Sequence, residues 1–365
     1  MKIINVKDNL LYYIGGVVRD MLLDRESFDI DITFVGNAIE YCKKFGKVIR
    51  ENPDFGTIRI DIDGEEIDFA STRTETYPKK GHLPIVTKIG CSLKEDVLRR
   101  DFSINALAMN CATEEIIDYV NGQEDLKNRV IRVLHDESFI DDPSRIIRGL
   151  KFRVRFGFDL EKHTRELQEN YLANINYDMS YKRIKKELAE TFNLNSQKAF
   201  EIFVNEKIYK LVSPADFVLP KINIESLVNK YKSEINPDLI WLVYVGLLPD
   251  LTNLELTKQE RKIIEDYKSD ENPQTDFEIY KFFENKNIIS VLLYGICNNI
   301  NAAERYLNDL RKIKISTTGN DLKNLGINPS LKYAEIFDEI LREKLKNPNM
   351  IKEDELKTAK KFMVQ

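Results

Sequence analysis

The stretch Leu11–Gly36, LYYIGGVVRDMLLDRESFDIDITFVG, most constrains what this chain can fold into. An apolar run, Leu11–Ile14, stops at Gly15 and Gly16. A short amphipathic segment follows, with Val17, Val18, Met21, Leu22 and Leu23 apolar, and it reads as a helix. Phe28–Ile32 then alternates at period two, which puts Asp29 and Asp31 on one face of a strand. Carboxylates so placed repel each other unless a cation lies between them. Hard oxygen ligands suit Mg²⁺, which also carries phosphates. The glycine turn supplies the complementary half, because backbone N–H groups without a Cβ in the way can approach a triphosphate. Arg19, one turn on, adds charge for the same phosphates. A β-turn or a solvated strand face explains either feature alone; together, at this spacing, they point to a nucleotide site at Gly16, Arg19, Asp29 and Asp31.

Downstream, Asn37–Phe45 reads as helix, Lys47–Arg50 and Thr57–Ile62 as strands, and Glu66–Ala70 as another alternating strand. Its Asp68 is a candidate third metal ligand if that strand neighbours the one holding Asp31. Helices mixed with strands give an α+β head up to about residue 120. Thr72–Leu98 has no clear periodicity and mixes Arg, Lys, Glu and Tyr, as expected of a ligand-contacting flap. Arg99-Arg100-Asp101 precedes a helix-like apolar run, Ile104, Leu107 and Ala108. Asp101 can cap that helix; alternatively Arg100 meets phosphate or ribose while Asp101 orients it or a sugar hydroxyl.

A second organising stretch is Asp141–Phe152, DDPSRIIRGLKF. Asp142 before Pro143 forms a helix start, and Arg145, Arg148 and Lys151 follow at three-residue steps. A carboxylate accepts and a guanidinium donates. Cytosine and adenine present an amino donor beside a ring-nitrogen acceptor, whereas guanine and uracil present the reverse. A solvated basic face is one reading of this helix; the more specific expectation is that the Asp142/Arg145 pair accepts C and A while rejecting G and U.

At a net charge of −5, the composition does not by itself advertise a nucleic-acid partner. No apolar run reaches the ~20 residues a membrane helix needs, Leu239–Leu248 with Trp241 being too short, and signal-peptide order is missing at the N-terminus. Cys42, Cys91, Cys111 and Cys297 are scattered without a CxxC, so neither zinc nor a disulfide framework is indicated and a cytoplasmic setting is expected. His135 and Asp136 read as a surface pair.

Taken together, GGVVRD (Gly15–Asp20) with DID (Asp29–Asp31), RRDFSINA (Arg99–Ala106), DDPSRIIRGLKF and MSYKRIKKEL (Met179–Leu188) resemble the class II tRNA nucleotidyltransferases, the CCA-adding family of polymerase-beta-like enzymes. The resemblance covers the first 190 residues strongly. It implies a nucleotidyltransferase head (1–120), a helical neck with the base-reading template (121–190), a helical body (191–268) and a helical tail that grips tRNA (269–365). It further implies two-metal transfer with Mg²⁺ on Asp29 and Asp31, triphosphate on Gly16 and Arg19, and the ribose-phosphate part on Arg100 and Asp101. Asp142 and Arg145 would be the template for the base, with Arg148 in support and Lys151 on the same helix. The expected substrates are CTP, ATP and the tRNA 3′ acceptor end, with no membrane and no obligatory protein partner. Two departures stand out. Asp141 replaces the family's usual Glu, and Lys151 replaces an arginine, keeping the charge but losing the fork. Alternatives are an enzyme adding only A or only CC, a poly(A) polymerase, and an inactive RNA-binding protein. Poly(A) polymerases carry a GRRF-like segment that Gly56–Ile60 does not match, and CC-adding members often lack part of the flap. Beyond residue 190, helical spacing recurs in Gln197–Val212, Ile222–Tyr231, Asp238–Leu248, Thr257–Tyr267 and Phe277–Tyr294. Thr318–Pro329 resembles the family's tail, with a capped helix, a turn at Pro329 and a longer helix from Leu331.

Overall fold

The structure, a computed structural model, describes residues 8–27, 30–327 and 332–361. Asp29, Pro329 and Leu331 lie outside them. The chain divides into two compact units, residues 1–219 with 248–255, and residues 220–247 with 256–365. The finer division into head, neck, body and tail is kept as a proposal.

The first unit opens with β1 (Leu11–Ile14), α1 (Gly16–Leu22), β2 (Asp31–Phe34) and α2 (Ala38–Cys42). Then come β3 (Lys47–Asn52), β4 (Thr57–Ile62), β5 (Glu65–Ser71), β6 (Arg73–Thr76), β7 (Ile85–Ile89), α3 (Leu93–Leu98), β8 (Leu107–Asn110) and β9 (Ile116–Asp118). Seven of these strands form one sheet in the order β3-β4-β5-β2-β1-β8-β9. Only the β2–β5 pair is parallel, and its register sets Asp31 beside Asp68, so the strands neighbour each other as the candidate third ligand requires. β1 lies between β2 and β8, antiparallel to both.

Two readings change here. Leu107 and Ala108 belong to the buried strand β8, not to a helix; a short continuous apolar run does not distinguish the two. The segment Thr72–Leu98 is also built. β6 and β7 form a hairpin with an irregularity at Thr74/Glu75, and α3 is capped reciprocally by Ser92 and Glu95. β7 is largely exposed and β6 is half-buried through polar side chains, so no apolar alternation marks either strand.

The unit continues with α4 (Gly122–Asn128), β10 (Val130–Ile131), α5 (Ser138–Asp141), α6 (Ser144–Phe156), β11 (Asp159–Leu160), α7 (Lys162–Ala173), α8 (Tyr181–Phe192) and α9 (Gln197–Asn205). β10 and β11 make a small parallel pair within this helical part. The periodicity of Gln197–Val212 breaks at Lys207, whose φ is +58°, and resumes as a 3₁₀ turn. Phe192 packs edge-on against Phe200 and Phe203 at ring distances of 6.0 and 5.1 Å. Asp136 pairs with His163 at 2.9 Å rather than with its neighbour His135.

The second unit is helical throughout its described residues: α10 (Ile224–Tyr231), α11 (Trp241–Val245), α12 (Lys258–Tyr267), α13 (Asp276–Phe283), α14 (Ile288–Cys297), α15 (Ile300–Asn308), α16 (Gly319–Asn324), α17 (Lys332–Lys346) and α18 (Lys352–Lys360). Phe277–Tyr294, one periodic run in sequence, is two helices. Asn287 caps the second, and the chain folds back so that Tyr294 lies 5.3 Å from Phe283. Buried tyrosine hydroxyls donate to carbonyls, Tyr267 to Gly246 and Tyr294 to Glu271, both at 2.8 Å. Among the described residues no helix is long and apolar enough to cross a membrane.

Near its end this unit buries a carboxylate. Glu355 accepts from the backbone N–H groups of Ser316 and Thr317, from the Thr317 hydroxyl and from the buried Lys344 ammonium. Burial pushes its pKa up, but Lys344 and these donors prevail and hold it below the ordinary glutamate value. A depressed folded pKa adds stability above the unfolded value of about 4.3, lost as pH falls through the lower folded one. Glu355→Ala, which strands Lys344, is expected to destabilise this unit by about 3–5 kcal/mol in urea unfolding at pH 7. The difference from the parent should shrink on acidification towards pH 3.

Candidate active site

The glycine turn sits where β1 gives way to α1. Gly15 adopts φ +73° and ψ −120°, and its N–H donates to Leu107 O at 3.0 Å. A Cβ there would lie 3.2 Å from Arg100 Nη1. Gly16, the residue singled out by sequence, meets only ordinary contact, with Arg19 Nη2 at 3.5 Å. Gly15 is therefore the glycine that the site requires, because an arginine packs against its backbone.

Arg19 takes a different place from the one expected. It is buried, its guanidinium 5.3 and 4.5 Å from the Phe152 and Phe156 rings. Asp20 accepts from its Nε at 2.8 Å, and Asn105 Oδ1 from its Nη1 at 2.5 Å. Burial lowers its pKa and Asp20 opposes the shift. A guanidinium enclosed in this way is committed to the protein. It acts on the site through Asn105, whose amide donates to Asp101 at 3.2 Å.

Within the first unit, a cleft of about 340 Å³ gathers most of the remaining candidates. Its walls carry six arginines (Arg73, Arg99, Arg100, Arg145, Arg148, Arg183) against four carboxylates (Glu75, Asp101, Asp142, Glu187). With Asp96, which pairs with Arg99 and Arg100 from behind the wall, one guanidinium charge is left over, a surplus that suits an anionic ligand. Tyr77, Leu83 and Pro84 bring the β6–β7 hairpin into the same wall, which fits the expected ligand-contacting flap.

Asp101 Oδ1 accepts from the Phe102 N–H at 2.8 Å, and Oδ2 lies 2.6 Å from Arg148 Nε, paired by charge but out of line for a hydrogen bond. Burial would raise the Asp101 pKa; Arg148, Arg145 and the Asn105 and Phe102 donors bring it below the ordinary value. Asp101 is thus ionised at neutral pH, and it orients Arg148 rather than Arg100. Asp142 Oδ1 accepts from the Ser144 N–H at 3.1 Å and the Ser144 hydroxyl at 2.5 Å, while Oδ2 is paired with Arg183. Arg145 donates to the Ser138 hydroxyl at 2.6 Å and, at longer range, to Tyr77 Oη (3.2 Å) and Arg99 O (3.4 Å). Lys151 does not line the cleft. It holds Glu187 at 2.7 Å and Glu190 at 2.5 Å, and so fixes a carboxylate that does.

Arg183, Tyr77 and Ser138 went unnamed as site residues. Arg183 belongs to MSYKRIKKEL, but nothing in its spacing there shows that it reaches Asp142, 41 residues away. Asp31 stands exposed at the start of β2, and its oxygen chemistry suits a divalent ion. Asp68, beside it, has both oxygens on Arg59 at 2.7 and 2.5 Å, so it serves as a third ligand only if that fork opens. No cluster of three or more His, Cys, Asp or Glu able to hold a metal occurs among the described residues, which exclude Asp29.

Residues 11–132 match the model of the poly A polymerase head domain. A CCA-adding enzyme of Lactobacillus helveticus is 30% identical over 90% of this chain and 87% of its own length. The chain belongs to the class II tRNA nucleotidyltransferases. An A-adding tRNA nucleotidyltransferase of Aquifex aeolicus is 47% identical over 163 residues, 43% of this chain. The chain spans about a fifth of that relative's length. A solved CCA-adding enzyme without ligand superposes with a TM-score of 0.81 at 25% identity, covering 95% of this chain and 90% of the other.

Gly15→Ala, at a backbone conformation reserved for glycine and against Arg100, is expected to cost roughly 1–3 kcal/mol. Gly16→Ala should change urea unfolding by a few tenths at most. Equal losses at the two positions would remove the special role of Gly15.

Proposed function

We propose that the chain extends the 3′ end of tRNA by C, C and A, using CTP and ATP. The observation that carries this reading is the cleft in which Asp142 and Arg145 face the same space as Arg100, Asp101 and Arg148. Family membership supports it, as do relatives named for adding CCA. The setting proposed is the cytoplasm.

In each step the RNA 3′-oxygen attacks the α-phosphate of the incoming nucleotide. The α–β phosphoanhydride bond breaks, pyrophosphate leaves, and the hydroxyl proton passes to solvent. Asp29 and Asp31 would hold Mg²⁺, which when bound lowers the pKa of the attacking hydroxyl and neutralises the departing phosphates. Arg100 and Arg148 neutralise phosphate charge and hold the nucleotide, and Asp101 keeps Arg148 in place and accepts from a sugar hydroxyl. Most of the acceleration comes from position and charge, since no protein nucleophile is needed.

Base choice falls to Asp142 and Arg145. Each is anchored on one side by a short bond to a serine, Ser144 or Ser138. Arg145 has two longer, exchangeable bonds to Tyr77 and Arg99. Asp142 Oδ2 faces Arg183 and, at 3.7 Å, Arg145 Nε, and it has a further lone pair for a base amino group. The anchored atoms fix direction and the exchangeable ones read the amino donor and ring acceptor of C or A.

A second reading, addition of A alone, is favoured by the Aquifex relative. The two are separated by transcripts ending before C, after C and after CC, each given one labelled nucleotide. Full activity predicts CTP use on the first two and ATP use on the third; ATP use on the third alone selects the second reading. In the same assay Asp31→Ala should abolish incorporation with tRNA binding nearly intact. Arg145→Ala should slow CTP and ATP and narrow their lead over UTP and GTP by about one to two orders of magnitude, the worth of a charged hydrogen bond of roughly 1.5–3 kcal/mol. Unchanged selectivity would place base reading elsewhere.

A further inference from the structure

Arg100 has a buried Nε without a hydrogen-bond partner. It sits in the cleft with its Nη1 against Gly15. What aims it is not the adjacent Asp101 but Asp96, one helical turn earlier on α3. Asp96 is fully buried and divides its two oxygens between different tasks. Oδ1 accepts from the Arg73 N–H at 3.1 Å and from Arg99 Nε and Nη2 at 3.0 and 2.8 Å. Oδ2 accepts from Arg100 Nη2 at 3.1 Å. Glu75 completes the cluster, accepting from Arg73 Nε at 2.7 Å and pairing with Arg99 Nη1 at 3.3 Å. Three guanidinium groups thus face two carboxylates. The surplus charge falls on the side of the cleft, at Arg100.

We propose that Asp96 is a positioning residue for nucleotide binding: Oδ2 fixes the direction in which Arg100 meets the phosphate and ribose of the incoming nucleotide, while Oδ1 ties that direction to the first residue of the β6–β7 hairpin. The proposal rests on the nucleotide reading of the cleft. Arg100 alone could swing over several ångströms on its flexible stem. Held at one corner by a buried carboxylate and backed by Gly15, its guanidinium keeps a fixed place in the cleft wall. The arrangement preorganises the donors before the substrate arrives. Because Asp96 also holds the Arg73 N–H, a displaced hairpin disturbs the same carboxylate that aims Arg100.

The division of oxygens gives an atom-selective test. Asp96→Asn keeps a carbonyl oxygen for Arg73 and Arg99 and replaces Oδ2 with an amide that repels Arg100. CTP and ATP binding is measured in the absence of tRNA, with KM for each nucleotide and for tRNA measured separately. Expected is a weakening of about tenfold in nucleotide affinity and KM, with KM for tRNA changed less than twofold. In an Arg100→Ala background the same substitution should add nothing. Glu75→Gln, which loosens the cluster without touching Asp96, should weaken nucleotide binding two- to threefold, and it carries the test if Asp96→Asn does not fold. A parent protein that binds neither CTP nor ATP overturns the nucleotide reading itself. A parent that binds either nucleotide, with Asp96→Asn and Glu75→Gln binding it equally well, overturns only the role of Asp96. So does a full multiplication of the Asp96 and Arg100 effects.

Discussion

The cleft depends on the antiparallel pairing of β1 with both of its neighbours. Tyr13 stands opposite Ile32 on β2 and Met109 on β8, and the Gly15 N–H extends the ladder to Leu107 O. Main-chain hydrogen bonds bring three segments together: the glycine turn, the strand beginning at Asp31, and the approach to β8 that carries Arg100 to Asn105. The register is chosen by the apolar side chains that these strands bury, among them Leu11, Tyr13, Ile32 and Leu107. A slip of one residue would turn Asp31 to the opposite face of the sheet.

Onto this frame the chain builds an unusual density of buried charge. Arg19 with Asp20, Asp96 with Arg99 and Arg100, Asp101 with Arg148, and Asp142 with Arg183 form a nearly continuous lattice of opposite charges. Such pairs add little net stability, because desolvation offsets their attraction, but removing one partner is costly. Their value lies in order. Each guanidinium that faces the cleft is held from behind, so its orientation does not have to be fixed at the expense of binding energy.

Much of this was legible in sequence because the key residues come in short local patterns. Period-two alternation gave β4 and β5, proline after Asp142 marked the start of α6, and the motif order pointed to the family. What escaped was of two kinds. Strands that are polar on both faces, or buried on both, lack alternation, which hides the β6–β7 hairpin and makes β8 look helical. Partner choice between charges is the other kind. Asp101 adjoins Arg100 in sequence yet serves Arg148, while Asp96 reaches Arg100 because four residues make one turn of helix. Arg19 looked like a phosphate ligand from its distance to the glycines; only the rings of Phe152 and Phe156, over 130 residues on, reveal that it is enclosed.

The small β10–β11 pair has a mechanical consequence. Val130 and Ile131 align with Asp159 and Leu160, just past the end of α6, and the same short segment is bonded to the Arg99–Asn105 loop through Phe102 and Val133 and through Ser103 and Arg132. Towards its other end α6 is paired with that loop through Arg148 and Asp101. The helix, about 20 Å long, is therefore braced by this loop towards both ends, like a bar between the jaws of a caliper. A ligand that meets such a bar at one tip finds the backbone braced there, so adjustment to its shape falls to the side chains of that tip.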